Sequence, residues 1–141
     1  MSGKPKNSVL KKLSGINHTT APIEQFEQAA DALGWRLIAL DGSDVSDKDG
    51  FLELCANAFG LPEWFGMNWD ALDECLTEID LETPGLVVLW SSWSEFAQAD
   101  PEEFATAVDV LRTAAGVWAD DGVKGGVLLI GDGPQIHLPA L

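Results

Sequence analysis

Basic residues are scarce in this chain. Of 141 residues, 8 are Lys or Arg against 23 Asp or Glu, a formal net charge of −15. From Asp49 through Leu111 there is no Lys or Arg at all, while 14 acids fall in that stretch. A field of this sign repels phosphate backbones and argues against direct nucleic-acid binding by the body of the chain. It favours a basic partner and speeds its approach. Cysteine is nearly absent too. Cys55 and Cys75 stand 20 positions apart, with no C-x-x-C and no His at ligand spacing. That excludes a zinc or redox centre and leaves buried thiols in a reducing compartment. His18 and His137 near the two ends take no role. No apolar run approaches the ~18–20 residues of a membrane helix. No apolar stretch follows Lys4, Lys6, Lys11 and Lys12 to make a secretory signal, so the expected location is cytoplasmic. The Asp-rich segment before Gly50 is not a calcium loop, because the two end positions it would need as carboxylates are Val45 and Ala56. Neither G-x-G-x-x-G nor G-x-x-x-x-G-K-[ST] occurs, and Pro134 spoils Gly131-x-Gly133 as a phosphate cradle. No cofactor, metal or catalytic residue is expected.

What is present is enough for one folded domain: 46% hydrophobic residues in a chain of ordinary domain length. Residues 1–20 are polar and Lys-bearing, and read as a mobile N-terminal arm. Residues 21–34 read as a helical extension, with Ile23, Phe26, Ala30 and Leu33 at helical spacing and Gly34 as the stop. Trp35 to Leu40 reads as a strand closed by Asp41-Gly42, and Asp47 to Phe59 as a helix ended by Gly60. Leu86 to Trp90 is a continuous apolar run, as in a parallel strand buried on both faces. Asp100-Pro101-Glu102-Glu103 combines a cap, a proline for the first turn and an acidic variant of the capping box, opening a helix to about Trp118. Gly126 to Ile130 is a third strand, the body ends at residue 131, and 132–141 reads as a tail. Short apolar strands alternating with helices imply an α/β layer around a small parallel sheet.

The most informative stretch runs from Leu61 to Glu82. Asn68 can cap a helix whose first turn holds Asp70, where the helix dipole favours a carboxylate. At 100° per residue, Trp69, Leu72, Cys75, Leu76 and Ile79 occupy an arc of about 120°. Asp70, Asp73, Glu74 and Glu78 occupy an arc of about 140° opposite, with no cation to offset them. The pairs Asp70/Glu74 and Glu74/Glu78 are like charges at i,i+4, which cost a few tenths of a kcal/mol each. Just ahead, Trp64 and Phe65 sit in a loop bounded by Pro62 and Gly66, where large aromatics are not automatically buried. An amphipathic helix with a solvated outer face, with Trp64 and Phe65 capping the core, accounts for the same spacing. The functional reading is a partner-binding surface formed by Trp64, Phe65, Gly66, Asn68, Asp70, Asp73, Glu74 and Glu78, since aromatics are enriched at interface hot spots.

The block Leu61-Pro62-Glu63-Trp64-Phe65-Gly66-Met67-Asn68-Trp69-Asp70-Ala71-Leu72-Asp73-Glu74-Cys75-Leu76-Thr77 resembles the barstar family of intracellular ribonuclease inhibitors. The family pattern, approximately LPE-aromatic-aromatic-G-x-N-x-DAL-x-D-CLT, matches at most fixed places without a gap. Weaker resemblance extends from the Trp35 strand to the Ile130 strand. It implies a barstar-like α/β fold, a small three-stranded parallel sheet flanked by helices, here with an extra N-terminal helix. It also implies a protein that is not an enzyme: an immunity-type inhibitor that blocks the basic active site of a small secreted or toxin ribonuclease, of guanyl-specific type or a toxin nuclease domain, without touching nucleic acid or membrane.

By that resemblance Asp70 and Glu74 are the carboxylates that enter the partner's cleft, Glu74 standing where the family usually has Asp, and Trp64 is the aromatic that packs on it. Asp73 replaces an aromatic and makes the ridge more acidic. A further family carboxylate falls near Thr113, which carries no charge; Asp109 is one turn away. Two other classes compete. One is a barstar-fold protein that binds a basic partner other than a nuclease. The other is an enzyme using Asp70 with Glu74 for acid–base chemistry, a poor fit because carboxyls on one convex helix face do not oppose each other across a cleft.

Overall fold

A computed structural model describes residues 10–62, 65–79, 82–134 and 136–141. In chain order the described elements are β1 (Ser14–Thr19), α1 (Ile23–Leu33), β2 (Arg36–Asp41), α2 (Lys48–Phe59), α3 (Trp69–Thr77), β3 (Gly85–Ser91), α4 (Ser94–Ala99), α5 (Pro101–Asp120) and β4 (Lys124–Ile130). The strands form one sheet in the order β1-β4-β3-β2, and every pairing is parallel. Parallel neighbours need long crossovers, which the helices supply.

Strand β3 is central and buried from Gly85 to Trp90, which explains its uninterrupted apolar run. Its residues alternate between two cores. Leu86, Val88 and Trp90 face a core with Val127 and Leu129 that α2, α3, α4 and α5 cover. Val87 and Leu89 face a second core with Leu128 and Ile130, covered by Phe26, Ala29 and Ala30 of α1. The larger core holds an aromatic cluster in which Phe51 lies 4.8 Å from Trp90 and Phe104 lies 5.4 Å from Trp90, ring centre to ring centre. Such pairs contribute about 0.5–1.5 kcal/mol each beyond the area they bury.

The helices begin and end on local signals. Asp47 caps α2 by accepting from the Gly50 N–H at 2.8 Å. Asp100 caps α5 through the Glu103 N–H at 3.3 Å, with Pro101 in the first turn. Gly34 closes α1 in the left-handed conformation, φ 71°, and its N–H reaches the carbonyls of Ala30 and Asp31.

The expectation of a three-stranded sheet is corrected: there are four strands. The fourth, β1, comes from residues read as part of an arm. It pairs with β4 from Ser14↔Gly125 to Thr19↔Ile130. The C-terminal tail holds its outer side, with the His18 N–H donating to the Pro139 carbonyl and the Leu141 N–H to the His18 carbonyl, both at 2.9 Å. Within β1 only Ile16 and Asn17 are buried, so the segment shows none of the alternation that marks a half-buried strand. Backbone pairing at the sheet edge, rather than an apolar face, places it. Short helix α4 likewise divides what the sequence reads as a single crossover between β3 and β4.

Candidate functional site

The acidic helix is α3, and three side chains fix its position. Asn68 caps it, accepting from the Ala71 N–H at 2.8 Å while its own amide donates to the Gly66 carbonyl at 3.2 Å. At the start of the helix, the Trp69 indole N–H donates to Glu103 of α5 at 2.7 Å. At its end, the buried Trp118 of α5 donates its indole N–H to the Leu76 carbonyl at 2.8 Å. Leu72 and Leu76 are fully buried between these two bonds. The helix is therefore tied to α5 at both ends, and its outer face is held in one orientation.

That outer face carries the predicted acids. Asp70, Glu74 and Glu78 are exposed and Asp73 is half-buried. Among the described residues the one ion pair is Arg112 with Asp109 at 2.6 Å, on α5. None of the four ridge carboxylates has an ion-pair or hydrogen-bonding partner within this set. The ridge field registers at Cys75, half-buried between the acidic and apolar arcs. Burial pushes its thiol pKa up, and Glu74 and Glu78 push it further in the same direction. Cys75, Glu74 and Glu78 also line a shallow groove of about 250 Å³ with Phe59, Leu61 and Ile79.

In the approach loop, Phe65 follows the core-capping reading. Phe65 is not a surface aromatic: it is 8% exposed and belongs to the main core. Its N–H closes a turn onto the Pro62 carbonyl at 2.9 Å. Trp64 lies outside the described residues. Gly66 is exposed, and a Cβ there would sit 3.2 Å from the Asn68 amide nitrogen, so it makes room for the cap. Asn68 is likewise committed to shaping the loop. Asp109 is occupied by Arg112, and Thr113 is exposed, so α5 offers no unpaired carboxylate at the position the resemblance pointed to.

One residue escaped the sequence reading. Met67, between Gly66 and the cap, is 41% exposed, the exposed large hydrophobic among the described residues, and its backbone takes φ 49°. Left-handed backbone at a non-glycine residue is uncommon, and such strain persists only where its surroundings enforce it. The tight entry into the Asn68 cap supplies that constraint and leaves a flexible thioether exposed just before α3. An apolar residue next to Gly-x-Asn was the available signal.

No group of three or more His, Cys, Asp or Glu among the described residues is arranged to hold a metal ion. No described helix is long and apolar enough to cross a membrane.

The class the fold defines is a parallel α/β domain with a helix whose outward carboxylates are uncompensated among the described residues. More narrowly, residues 35–130 match the family model described as Barstar (barnase inhibitor), and the chain belongs to the barstar family. Three of the four strands, and α3, lie within the matched region; β1 and the tail lie outside it. No curated protein matches the chain. Among solved structures it is similar to the ORC2 protein of Aeropyrum pernix in its ADPNP–ADP complexes, with 14% identity and a TM-score of 0.59. That alignment takes in 93% of this chain but only 40% of the other. At this identity the likeness is one of fold.

Proposed function

We propose that this protein is an inhibitor of a small secreted or toxin ribonuclease, acting inside the producing cell by binding rather than by catalysis. The observation that carries the reading is the set of uncompensated carboxylates on α3, in a chain whose family is named for a barnase inhibitor. A ribonuclease cleft must hold phosphate and therefore concentrates Arg, Lys and His. A carboxylate fixed on a helix accepts the same charge-assisted, bidentate hydrogen bonds. Desolvating the pair opposes the Coulomb attraction, so a net gain requires a carboxylate already in place. The anchoring of α3 by Trp69 and Trp118 supplies that placement. Asp70 and Glu74 are the groups assigned to the cleft, Asp73 and Glu78 extend the field, and Met67 adds apolar contact at the loop.

The test is a titration of the protein into a panel of small microbial ribonucleases while RNA cleavage is followed. Stoichiometric loss of activity for one member, absent with Glu74→Ala, is the expected result. No inhibition across the panel by a folded protein would remove the ribonuclease from the reading. A basic partner of another kind would then be the target of the same face.

A further inference from the structure

In a parallel sheet every strand starts at the same edge, so residues that open strands are gathered at one pole. Six Lys or Arg fall among the described residues, and four of them are at this pole. Lys11 and Lys12 lead into β1, Arg36 opens β2 and Lys124 opens β4. None has an ion-pair partner among the described residues. Most of the positive charge among the described residues is thus collected in one place that shares no residue with the acidic face of α3.

A groove of about 750 Å³ opens there. Lys11 and Lys124 line it, and Trp35, Leu13, Leu33 and Val123 supply apolar surface. Its aromatic wall is a built feature. A Cβ placed on Gly85 would fall onto Cγ, Cδ2 and Cε2 of the Trp35 indole, so the ring lies with its face over that glycine. Gly125, at φ 104°, would bring a Cβ onto the Leu86 carbonyl and within 3.3 Å of the Trp35 ring. The strand-opening glycines therefore form a bed for a half-buried indole that lines the same groove as Lys11 and Lys124. Asp120 and Asp121 are near in sequence to the groove but are not among its lining residues, and Glu82 lines an adjoining cleft with Trp35 and Arg36.

We propose that this groove binds a small planar anion, an aromatic ring bearing a phosphate, with the ring against Trp35 and the phosphate between Lys11 and Lys124. The volume lies within the range of small-ligand sites, roughly 300–1,000 Å³. Stacking on indole combined with nearby cations is the usual recognition chemistry for a nucleobase carrying phosphate. Size follows from charge. An acidic macromolecule would meet the field of the whole −15 chain. A small anion responds mainly to charges within about one Debye length, near 8 Å at physiological salt.

The test is a nuclear magnetic resonance titration of the full ¹⁵N-labelled chain with adenosine 5′-monophosphate, with adenosine and inorganic phosphate as separate arms. The expected result is saturable shifts at the Trp35 indole N–H and at the amides of Lys124 and Gly125, stronger than with either fragment. Exposed Lys11 and Lys124 can both be changed to Ala without disturbing the core. That double variant should bind at least about tenfold more weakly, as loss of charge-assisted contacts to a phosphate requires. Glu74→Ala should bind the nucleotide unchanged, which separates this site from the inhibitor face. Absence of saturable shifts at millimolar nucleotide would overturn the proposal. Equal binding by either fragment, or full affinity in the double-lysine variant, would do the same.

Discussion

Helices α3 and α5 pack side by side on the same face of the sheet and treat charge in opposite ways. On α5, Asp100 caps the helix, Glu103 accepts the Trp69 indole and Asp109 is paired with Arg112. On α3, the four outward carboxylates have no partner among the described residues. Two i,i+4 like-charge pairs make that face slightly unfavourable for the isolated protein. One helix uses its polar groups to hold the fold together. The other keeps them unspent, which is the arrangement a surface needs if a partner is to complete it.

The largest effect comes from breaking the link between the two helices. Trp118→Ala removes a 3% exposed ring and its bond to the Leu76 carbonyl, and should cost about 3–5 kcal/mol in urea denaturation. Next is Glu74→Ala. If α3 is the binding helix, affinity for the partner should fall by about 2 kcal/mol or more by calorimetry, the scale of a hot-spot residue. Stability should change by no more than about 0.5 kcal/mol, as for other exposed positions. Loss of stability with retained affinity would reverse the roles assigned to the two helices. Asn68→Ala should cost about 1 kcal/mol, since the Ala71 N–H loses its cap.

Cys75 gives a finer probe of the ridge. Its raised pKa means less thiolate at a given pH below that value, so native alkylation near pH 8 should be slower than for a free thiol. Glu78→Gln removes one of the neighbouring charges and should accelerate labelling; an unchanged rate would show that the ridge field does not reach the sulfur. Cys55 is fully buried and should not compete. Smallest is Arg112→Ala. The pair with Asp109 is exposed on both sides, so stability should move by about 0.5 kcal/mol or less, and partner affinity not at all.

How much of this could be read in advance depended on whether a residue's task is local. The start of α5 at Asp100-Pro101, the Asn68 cap and the apolar run of β3 were legible, because caps and buried central strands act through adjacent residues. The acidic arc of α3 was legible for the same reason, since helical geometry alone sets it. Strand β1 was not. His18 and Thr19 earn their place by pairing with residues more than a hundred positions away. Phe65 and Trp69 sit four residues apart at the same loop-to-helix entry, and only packing decides that the first turns into the core while the second reaches Glu103. The Asp109–Arg112 contact at 2.6 Å is a local i,i+3 pair, which helical spacing alone makes available.

By itself the sequence determined the α/β class, the helix boundaries marked by caps and glycines, and a helix with acids on one side and apolar residues on the other. These follow from backbone sterics and from periodicities of two and 3.6 residues, which act over a few positions. The tertiary structure alone decided that the sheet has four strands, that the tail secures its outer edge, that α3 is bolted to α5 at both ends, and that the strand-opening cations share one pole. Those features depend on which distant segments meet, and that is set by burial and backbone pairing across the whole chain.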